Sequence, residues 1–511
     1  MQPSADLYVI SDLHMGRGKN PATGRYFSLE TFFYDDDFHR FCDHICGESE
    51  RRGRSLKLIL NGDVFDFLRV EADPAEGQVW PQHGPVATPA VARKLAAEIL
   101  AGHPRFTDGL AEVLARGHEV LILPGNHDQA VQWSGVQVET RAAVASCLQS
   151  RDKADAIKRL DFEQWFYYEP GRIWLEHGCQ YDPENSFRWL LRRPLEAAPD
   201  DVHEAERDLP LGNFFQRYLY NAFGSITFIV PSSRANFRYF RWLLLNQPRF
   251  LVNVVFSHLP FLYQVVRRFA GAAERGPSDA MRNAHEAELD RLAARSGLGD
   301  RLKDIDKLKE MRADVVQATR NISRQVGKLI VASLGVGAVV TALWFVAFLS
   351  INQFRAGFGL KTLMFLSLNL VLLAGAIGAL IYSLMRTGKD APLPMRKAAR
   401  RIADLVDVPI VSFGHIHDEV IYPIGWNQDG ERRWYFNTGT WIAVFTHDVL
   451  LPRERVQYTF LRVREQAAEL LYWSPGRDES RPVILLEEAG SLPMTLRLPM
   501  DDDGRDDLPP S

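Results

Sequence analysis

Cysteine is scarce in this chain, four in 511 residues, and Cys42, Cys46, Cys147 and Cys179 are too scattered to form a disulfide framework. A reducing compartment is therefore expected. Cys42 and Cys46 stand at i, i+4 on a predicted helix, but no second Cys or His pair completes a zinc set, so they read as small buried side chains. A surplus of either charge is lacking too: the formal net charge is -4 and the pI about 6.4. Without a basic field the chain has little means of neutralising many phosphates, and no nucleic-acid partner is expected. The opening MQPSADLYVISDLH has neither a basic n-region nor a long apolar h-region, so it does not read as a secretory signal.

What is present exceeds one hydrophobic core in size. From residue 1 to 180, short β-rich runs (DLYVIS, LKLILN, HEVLILP, RIWLE) alternate with helical patterns such as TPAVARKLAAEILAG, which predicts a layered α/β domain. The same character returns in VPIVSFGHIHDEVIYPIG and RWYFNTGTWIAVF, so residues 386–475 are expected to complete that domain. Residues 181–328 then form a helical insertion, residues 329–385 a hairpin of two apolar helices, and residues 476–511 an extension with a disordered acidic tail. The insertion opens with NFFQRYLYNAFGSITFIVP and NFRYFRWLLLNQPRFLVNVVFSHLPFLYQVVRRFAG, where Arg is interleaved with aromatics, a pattern that suits either a membrane interface or a cap on the α/β core. Further on, Leu308, Met311, Val315, Ala318 and Ile322 make a short heptad seam, consistent with a homodimer or with packing against the chain's own domain.

Residues 329–351 and 362–385 contain no charged side chain, and each run is long enough to cross a hydrocarbon layer of roughly 30 Å. Arg324 and Lys328 precede the first run and Arg386, Lys389, Arg396, Lys397, Arg400 and Arg401 follow the second, against Arg355 and Lys361 in the turn. This bias predicts an integral protein of the inner (cytoplasmic) membrane with both flanks, and hence the α/β domain, in the cytoplasm. The spans carry no ionisable residue that would mark an ion path.

Chemistry-bearing residues gather at predicted strand ends. DLYVIS runs into Asp12 and His14; LKLILN is followed by Gly62, Asp63 and Asp66; HEVLILP delivers Gly125, Asn126, His127 and Asp128. RIWLE delivers His177, and VPIVSF delivers Gly414, His415 and His417. Any one motif is weak, since D-x-H or H-x-H alone is commonly structural. Five at five strand ends, where open α/β sheets place their sites, form a specific pattern. Mixed carboxylate, amide and imidazole donors without thiolate suit Mn2+, Fe or Zn2+ and narrow the metal without choosing it; Mn2+ is the ion expected.

The series D-x-H, G-D-x-x-D, G-N-H-D, a later His and G-H-x-H resembles the calcineurin-like metallophosphoesterase superfamily over residues 5–180 and 405–445. The resemblance implies a four-layer α/β/β/α sandwich, here interrupted by the helical insertion and its transmembrane hairpin. It also implies two divalent metal ions, one among Asp12, His14, Asp63 and His417, the other among Asp63, Asn126, His177 and His415, with Asp63 the bridge. His127 would stabilise or protonate the leaving oxygen, and Asp128 would orient its imidazole. Two cations would acidify a shared water and clamp phosphoryl oxygens, giving hydrolysis of a phosphomonoester or phosphodiester. Asp66 is expected either to support a ligand His or to cap a helix. Arg17, in a glycine-bearing loop, could contact a substrate phosphate. Cys179 and Tyr181 are expected to pack beneath the site.

Phosphoprotein phosphatases of this superfamily continue G-D-x-x-D with Arg-Gly, whereas Phe67 and Leu68 stand here, which weakens that substrate class. The plan is similar to UDP-diacylglucosamine pyrophosphohydrolases in carrying an apolar helical insertion, although those enzymes have Arg where this chain has His127. A lipid-linked or nucleotide-type phosphoester at the membrane surface is the expected substrate. The alternative is a metallophosphoesterase-fold scaffold or a regulatory domain of a membrane protein. His83, His103, His203 and His258 lack partner motifs and read as surface or satisfied histidines.

Overall fold

The computed structural model describes residues 5–71, 88–148, 153–191, 208–217, 221, 249, 279–309, 344–353, 355, 357–385, 393–427, 429–443, 445–446, 449–450, 458–465 and 467–483. Residues Met1–Arg312 with Ala391–Ser511 form one unit and Ala313–Asp390 a second.

The first unit is α/β. Strands β1 (Asp6–Ile10), β2 (Leu56–Asn61), β3 (Glu119–Leu123) and β4 (Leu160–Phe162) run parallel; β12 (Tyr458–Arg464), β13 (Ala467–Ser474) and β14 (Glu479–Pro482) continue antiparallel from the β1 edge. The second sheet has the order β5 (Phe166–Glu169), β6 (Ile173–Glu176), β7 (Ile410–Phe413), β9 (Arg432–Thr438), β8 (Glu419–Trp426), with β6, β7 and β9 parallel. A two-residue pair, β10 (Phe445–Thr446) and β11 (Val449–Leu450), lies outside both. The register is level: Ile10 pairs with Leu60 and Asn61 with Leu123, so the loops after β1, β2 and β3 leave the sheet side by side.

Period-2 alternation sorts the side chains of each sheet between two cores. Leu7, Val9, Ile59, Leu121 and Leu123 meet Ile173, Leu175, Ile410 and Phe436 of the second sheet in one apolar cluster. On the opposite face Tyr8, Ile10, Leu58, Leu60, Val120 and Ile122 pack on α1 (Asp35–Arg52), α2 (Pro89–Gly102), α3 (Pro104–Ala115) and α4 (Ser134–Cys147). Cys42 and Cys46 are buried in that cluster. The outer face of the second sheet, with Trp174, Val411, Phe413 and Tyr435, is covered by α5 (Asp279–Arg295), α6 (Asp300–Asp306) and α8 (Leu393–Val406). Helices, sheet, sheet and helices therefore follow one another across this unit.

Local signals explain the helix ends. Asp35, Asp36 and Asp37 sit at the positive end of α1, Arg51 and Arg52 at its negative end, and Gly53 closes it at φ 59°. Thr88 caps α2 by accepting from Val91 N, with Pro89 in the first turn. Helix α5 ends at Arg295: Gly297 and Gly299 take positive φ, and Leu289, Leu292, Leu302 and Ile305 turn inward onto the second sheet. This part of the expected insertion is a layer of the α/β unit. Of the heptad seam only Leu308 is described, packed against that same core; Met311, Val315, Ala318 and Ile322 lie outside the described residues. The sheet also runs past residue 475, because Glu479–Pro482 pairs with β13.

In the second unit, α7 (Phe358–Met385) and a helical stretch at 344–353 are joined by Lys361 Nζ donating to Asn352 O at 2.9 Å and by Phe348 against Phe365 at 5.3 Å between ring centroids. Among the described residues no helix is long and apolar enough to cross a membrane. The two-span hairpin is thus not carried by the structure: residues 329–343 lie outside the described set, as do most α7 side chains beyond Leu370. Apart from Asn221 and Arg249, the Arg/aromatic stretches after residue 217 are likewise outside it, as are His83, His203, His258 and the acidic tail.

His103 joins α2 to α3 and is fully buried. Its ring contacts Asp35 Oδ1 at 2.8 Å and Glu30 Oε2 at 3.2 Å, while Glu30 also accepts the amides of Gly16 and Gly18 in the loop after β1. Burial alone would depress the His103 pKa, but the hydrogen bonds and charges of Asp35 and Glu30 outweigh it and lift it from 6.5 to about 9. The folded state thus holds a proton that the unfolded chain releases near pH 6.5. Its stabilisation is fully present below that pH and is lost as pH rises through 9, a change of roughly 3 kcal/mol. Urea unfolding between pH 6 and 10 is expected to show this decline. His103→Gln should be less stable at pH 6 and nearly flat across the window; an equally steep decline in the variant would remove His103 as its source.

Candidate metal centre

The five strand-end loops meet in one buried cluster. Three sets of side chains there, Asp12/His14/His417, His14/Asp63/His127 and Asp63/His177/His415, each bring their donor atoms within 4.8 Å of one another, so these buried groups could hold a metal ion. Asp63 Oδ2 lies 3.7 Å from His14 Nε2 and 3.2 Å from His177 Nε2. His417 Nε2 is 2.9 Å from His14 Nε2 and 3.2 Å from Asp12 Oδ1. Asn126 Oδ1 is 3.2 Å from His177 Nε2. Every residue named above as a ligand is therefore in the cluster.

Backbone bonds hold the loops in pairs. Asp12 N donates to Gly62 O at 3.1 Å and His14 N to Asp63 O at 2.9 Å; across the second sheet Gly414 N donates to His177 O at 3.0 Å. The two sheets are joined at the site by His415 N, which donates to Asp12 Oδ2 at 3.0 Å. Two glycines are required by this crowding. A Cβ at Gly125 would stand 2.1 Å from Asp63 Oδ1, and one at Gly414 would stand 2.6 Å from Asp12 Oδ2. Eight described non-glycine residues take positive φ, and five of them, Asp12, His14, Asp63, His415 and His417, are in the cluster. Each such conformation costs on the order of 1 to 3 kcal/mol and persists only where the surroundings impose it.

The donor atoms fit a cation. Asp12 Oδ2 is occupied by Ser11 Oγ and His415 N, whereas its Oδ1, fully buried, faces the imidazoles of His417 and His14 at 3.2 and 3.8 Å. His14 Nδ1 is tied to Asp66 Oδ2 at 3.2 Å and His177 Nδ1 to Asn61 O at 3.1 Å, which in both rings leaves Nε2 as the atom turned to the cluster. His415 Nε2 is held by Asp182 Oδ2 at 2.9 Å. Burial works against the charges of Asp12 and Asp63, yet neighbouring histidines, His177 foremost, hold both carboxyls below their ordinary range. In turn burial is outweighed at His177 by Asp63 and Asp12, which lift its pKa to about 10. Burial pushes His417 down to about 4, so its imidazole is neutral at pH 7. Two buried carboxylates thus draw positive charge inward, and neutral imidazole is at hand as a donor.

One expectation is corrected. Asp128 does not orient His127; it accepts the amides of Gly125, Asp63 at 3.2 Å, Val64 at 2.8 Å and Phe65 at 3.2 Å, bolting the third loop to the second. Facing those amides, its carboxylate has no capacity left for an imidazole. Asp66 takes the role: Oδ1 meets His127 Nδ1 at 2.9 Å and also accepts Arg69 N at 2.9 Å, while Oδ2 holds His14. Of the two alternatives posed for Asp66, support of a ligand His is made and the helix cap is not: the residues after it form a bend, whose Leu68 and Arg69 amides its Oδ1 accepts. His127 stands edge-on to His14, ring centroids 4.6 Å apart. Arg17 is engaged elsewhere, 3.2 Å from Glu98 and over the Phe27 ring. Cys179 and Tyr181 are buried, with Tyr181 Oη donating to Glu176 at 2.8 Å. Asp182 and Asn213 lie outside every recognisable motif, yet Asp182 holds His415 and Asn213 accepts Asn126 Nδ2 at 2.9 Å; a polar residue five positions beyond His177 was the only signal for the first, and there was none for the second.

These roles separate two aspartates that look alike in sequence. Asp128→Ala leaves four buried amides without an acceptor and is expected to destabilise by about 3 kcal/mol or more. Asp66→Asn is expected to melt close to wild type but to bind divalent cations about 10–100-fold more weakly. Thermal melts beside cation titrations decide this; a large melting loss in Asp66→Asn with unchanged cation binding would reverse the assignment. No family model matches this chain, and no curated protein matches it, so the chemistry of the site is read from its own atoms.

Proposed function

We propose that this chain is a metal-dependent phosphoesterase of the calcineurin-like type, a four-layer sandwich whose active site is the cluster centred on Asp63. The observation that carries the reading is the position of one carboxylate oxygen, Asp63 Oδ2, between His14 on one side and His177 on the other. A carboxylate so placed would serve two cations at once. Asp12, His14, Asp63 and His417 would hold one, and Asp63, Asn126, His177 and His415 the other; the donor types suit Mn2+, Fe or Zn2+, and Mn2+ is the ion proposed. When bound, such a pair supplies charge neutralisation to a phosphoryl group and acidity to a water.

The protein's own groups do the rest. Asp66 fixes the His127 ring through Nδ1, so exchange of a proton with the leaving oxygen runs through Nε2. His127 is the most open of the clustered side chains, 11 % exposed against 4 % or less for the metal-ligating histidines His14, His177, His415 and His417, which suits a group that must meet substrate. The bonds from Asp128, Asp182 and the paired loops keep the donors in place before substrate arrives, the preorganisation on which charge stabilisation depends.

Purified protein with Mn2+ is expected to hydrolyse an aryl phosphodiester or monoester. Asp63→Ala should abolish turnover together with cation binding, while His127→Ala should keep its cations and lose about 100- to 10,000-fold in kcat. Cation binding without turnover of either ester would favour a scaffold over an enzyme.

The proposal extends to location: the enzyme works at the cytoplasmic face of the inner membrane on a lipid-linked or nucleotide-type phosphoester. Support comes from the uncharged runs at 329–351 and 362–385 with basic flanks and from apolar side chains that the second unit leaves uncovered, among them Phe358 at 88 %, Leu370 at 68 % and Leu366 at 64 % exposed. Deleting residues 320–390 is expected to release the protein from the membrane fraction. Retention there would transfer anchoring to the Arg/aromatic stretches of the insertion.

A further inference from the structure

A side-chain amide serves a cation only through its oxygen. Asn126 could turn over and present Nδ2 instead, because the two ends of the amide have nearly the same shape. Asn213 decides between them. Its Oδ1 accepts Asn126 Nδ2 at 2.9 Å, and its Nδ2 donates to Asn126 O at 2.7 Å. Both ends of the Asn213 amide are thereby used, and the residue is 1 % exposed. Turning Asn126 over would set two amide oxygens against each other in a buried space, at a penalty of about 1–3 kcal/mol.

Asn213 belongs to a short helical turn, Leu211–Phe215, in the inserted segment. Gly212 N donates to Glu184 O at 2.7 Å, and a Cβ at Gly212 would stand 2.1 Å from Asn185 Oδ1. Asn185 in turn donates to Asp182 Oδ2 at 2.7 Å, the same oxygen that meets His415. Farther along, Asn221 Nδ2 donates to Leu68 O at 2.6 Å. The segment leaving His177 therefore supports two members of one donor set, Asn126 and His415. No side chain of that segment bonds to the other set: Asp12 Oδ2 takes Ser11 Oγ and the backbone amide of His415, and His14 is held by Asp66.

We propose that Asn213 is a positioning residue for Asn126, so that the inserted segment sets cation affinity at the Asp63/Asn126/His177/His415 group and leaves the Asp12/His14/His417 group alone. This rests on the two-cation reading above. A Mn2+ titration of the full chain by calorimetry, with free Mn2+ followed by electron paramagnetic resonance, is expected to resolve two sites. Asn213→Ala should weaken one by about 10–100-fold and the other by less than about 2-fold. In an Asn126→Ala background the same substitution should add nothing, since Asn213 acts through that amide.

Wild-type protein that binds no divalent cation would sink the metal reading itself. Wild type with two sites and Asn213→Ala with the same two affinities would sink only the positioning role, as would full additivity with Asn126→Ala. If the alanine variant does not fold, Asn213→Asp takes its place. It keeps the volume and the acceptor for Asn126 Nδ2 but loses the donor to Asn126 O. A several-fold loss confined to one site is expected, and unchanged affinity at both sites overturns the proposal.

Discussion

The site depends on keeping one carboxylate, Asp63, charged in a place where water cannot reach it. Burial works against that charge, and what offsets it is a ring of imidazoles together with the His127 amide, which donates to Asp63 Oδ1 at 2.8 Å. One oxygen is thereby spoken for by the backbone and the other is left between His14 and His177. A buried ionised group with partners on one side only would be severely destabilising. The arrangement makes physical sense as a seat for positive charge, carried by His177 in the protein alone and by cations in the proposed enzyme.

That seat is made from loops none of which could hold its shape alone. Asp12, His14, Asp63, His415 and His417 all take positive φ, and five such residues together disfavour the fold by several kcal/mol. The two sheets supply the compensation. Their level register brings β1, β2 and β3 to one edge and β6 and β7 to the facing edge, and the Leu/Val/Ile/Phe cluster between them fixes the gap. The loops then exchange backbone bonds beyond the strands, and Asp128 closes the set by gathering four amides. Gly125 and Gly414 are demanded by the carboxylates of other loops, Asp63 and Asp12, rather than by their own turns. The motifs are thus mutually dependent in space although far apart in the chain.

This interdependence explains which parts were legible in the sequence. Short apolar β-rich runs identified β1, β2, β3, β6 and β7, because burial on both faces of each sheet leaves near-continuous apolar strands, and the donor residues stood visibly at their ends. The α/β layering followed from the same runs. Which carboxylate would face which imidazole was not legible. Asp66 and Asp128 are both aspartates after a strand-end glycine, and only the approach of the second and third loops turns Asp128 toward amides and Asp66 toward His14 and His127. The Gly297–Gly299 break was visible as two glycines, yet that the following residues would cover the second sheet depends on a tertiary contact with α8 that no local pattern encodes. Asn213 was invisible for the same reason, and Asp182 nearly so, marked only by its place five positions beyond His177: their part in the cluster lies wholly in what they touch.

The insertion is consequently more than a tether between an α/β unit and apolar helices. Its Asp182 and Asn213 bond to His415 and Asn126, and residues 279–309 return to form part of the helical cover of the second sheet. Strand β7, which delivers His415 and His417, is reached only after the chain has left this unit for Ala313–Asp390 and come back at Ala391. A segment that both precedes the last donors in sequence and braces two donors in space cannot move without loading the cluster. The buried amide pair Asn126/Asn213 is the narrowest point of that coupling, since each side chain there has its hydrogen-bonding groups engaged and little room to adjust.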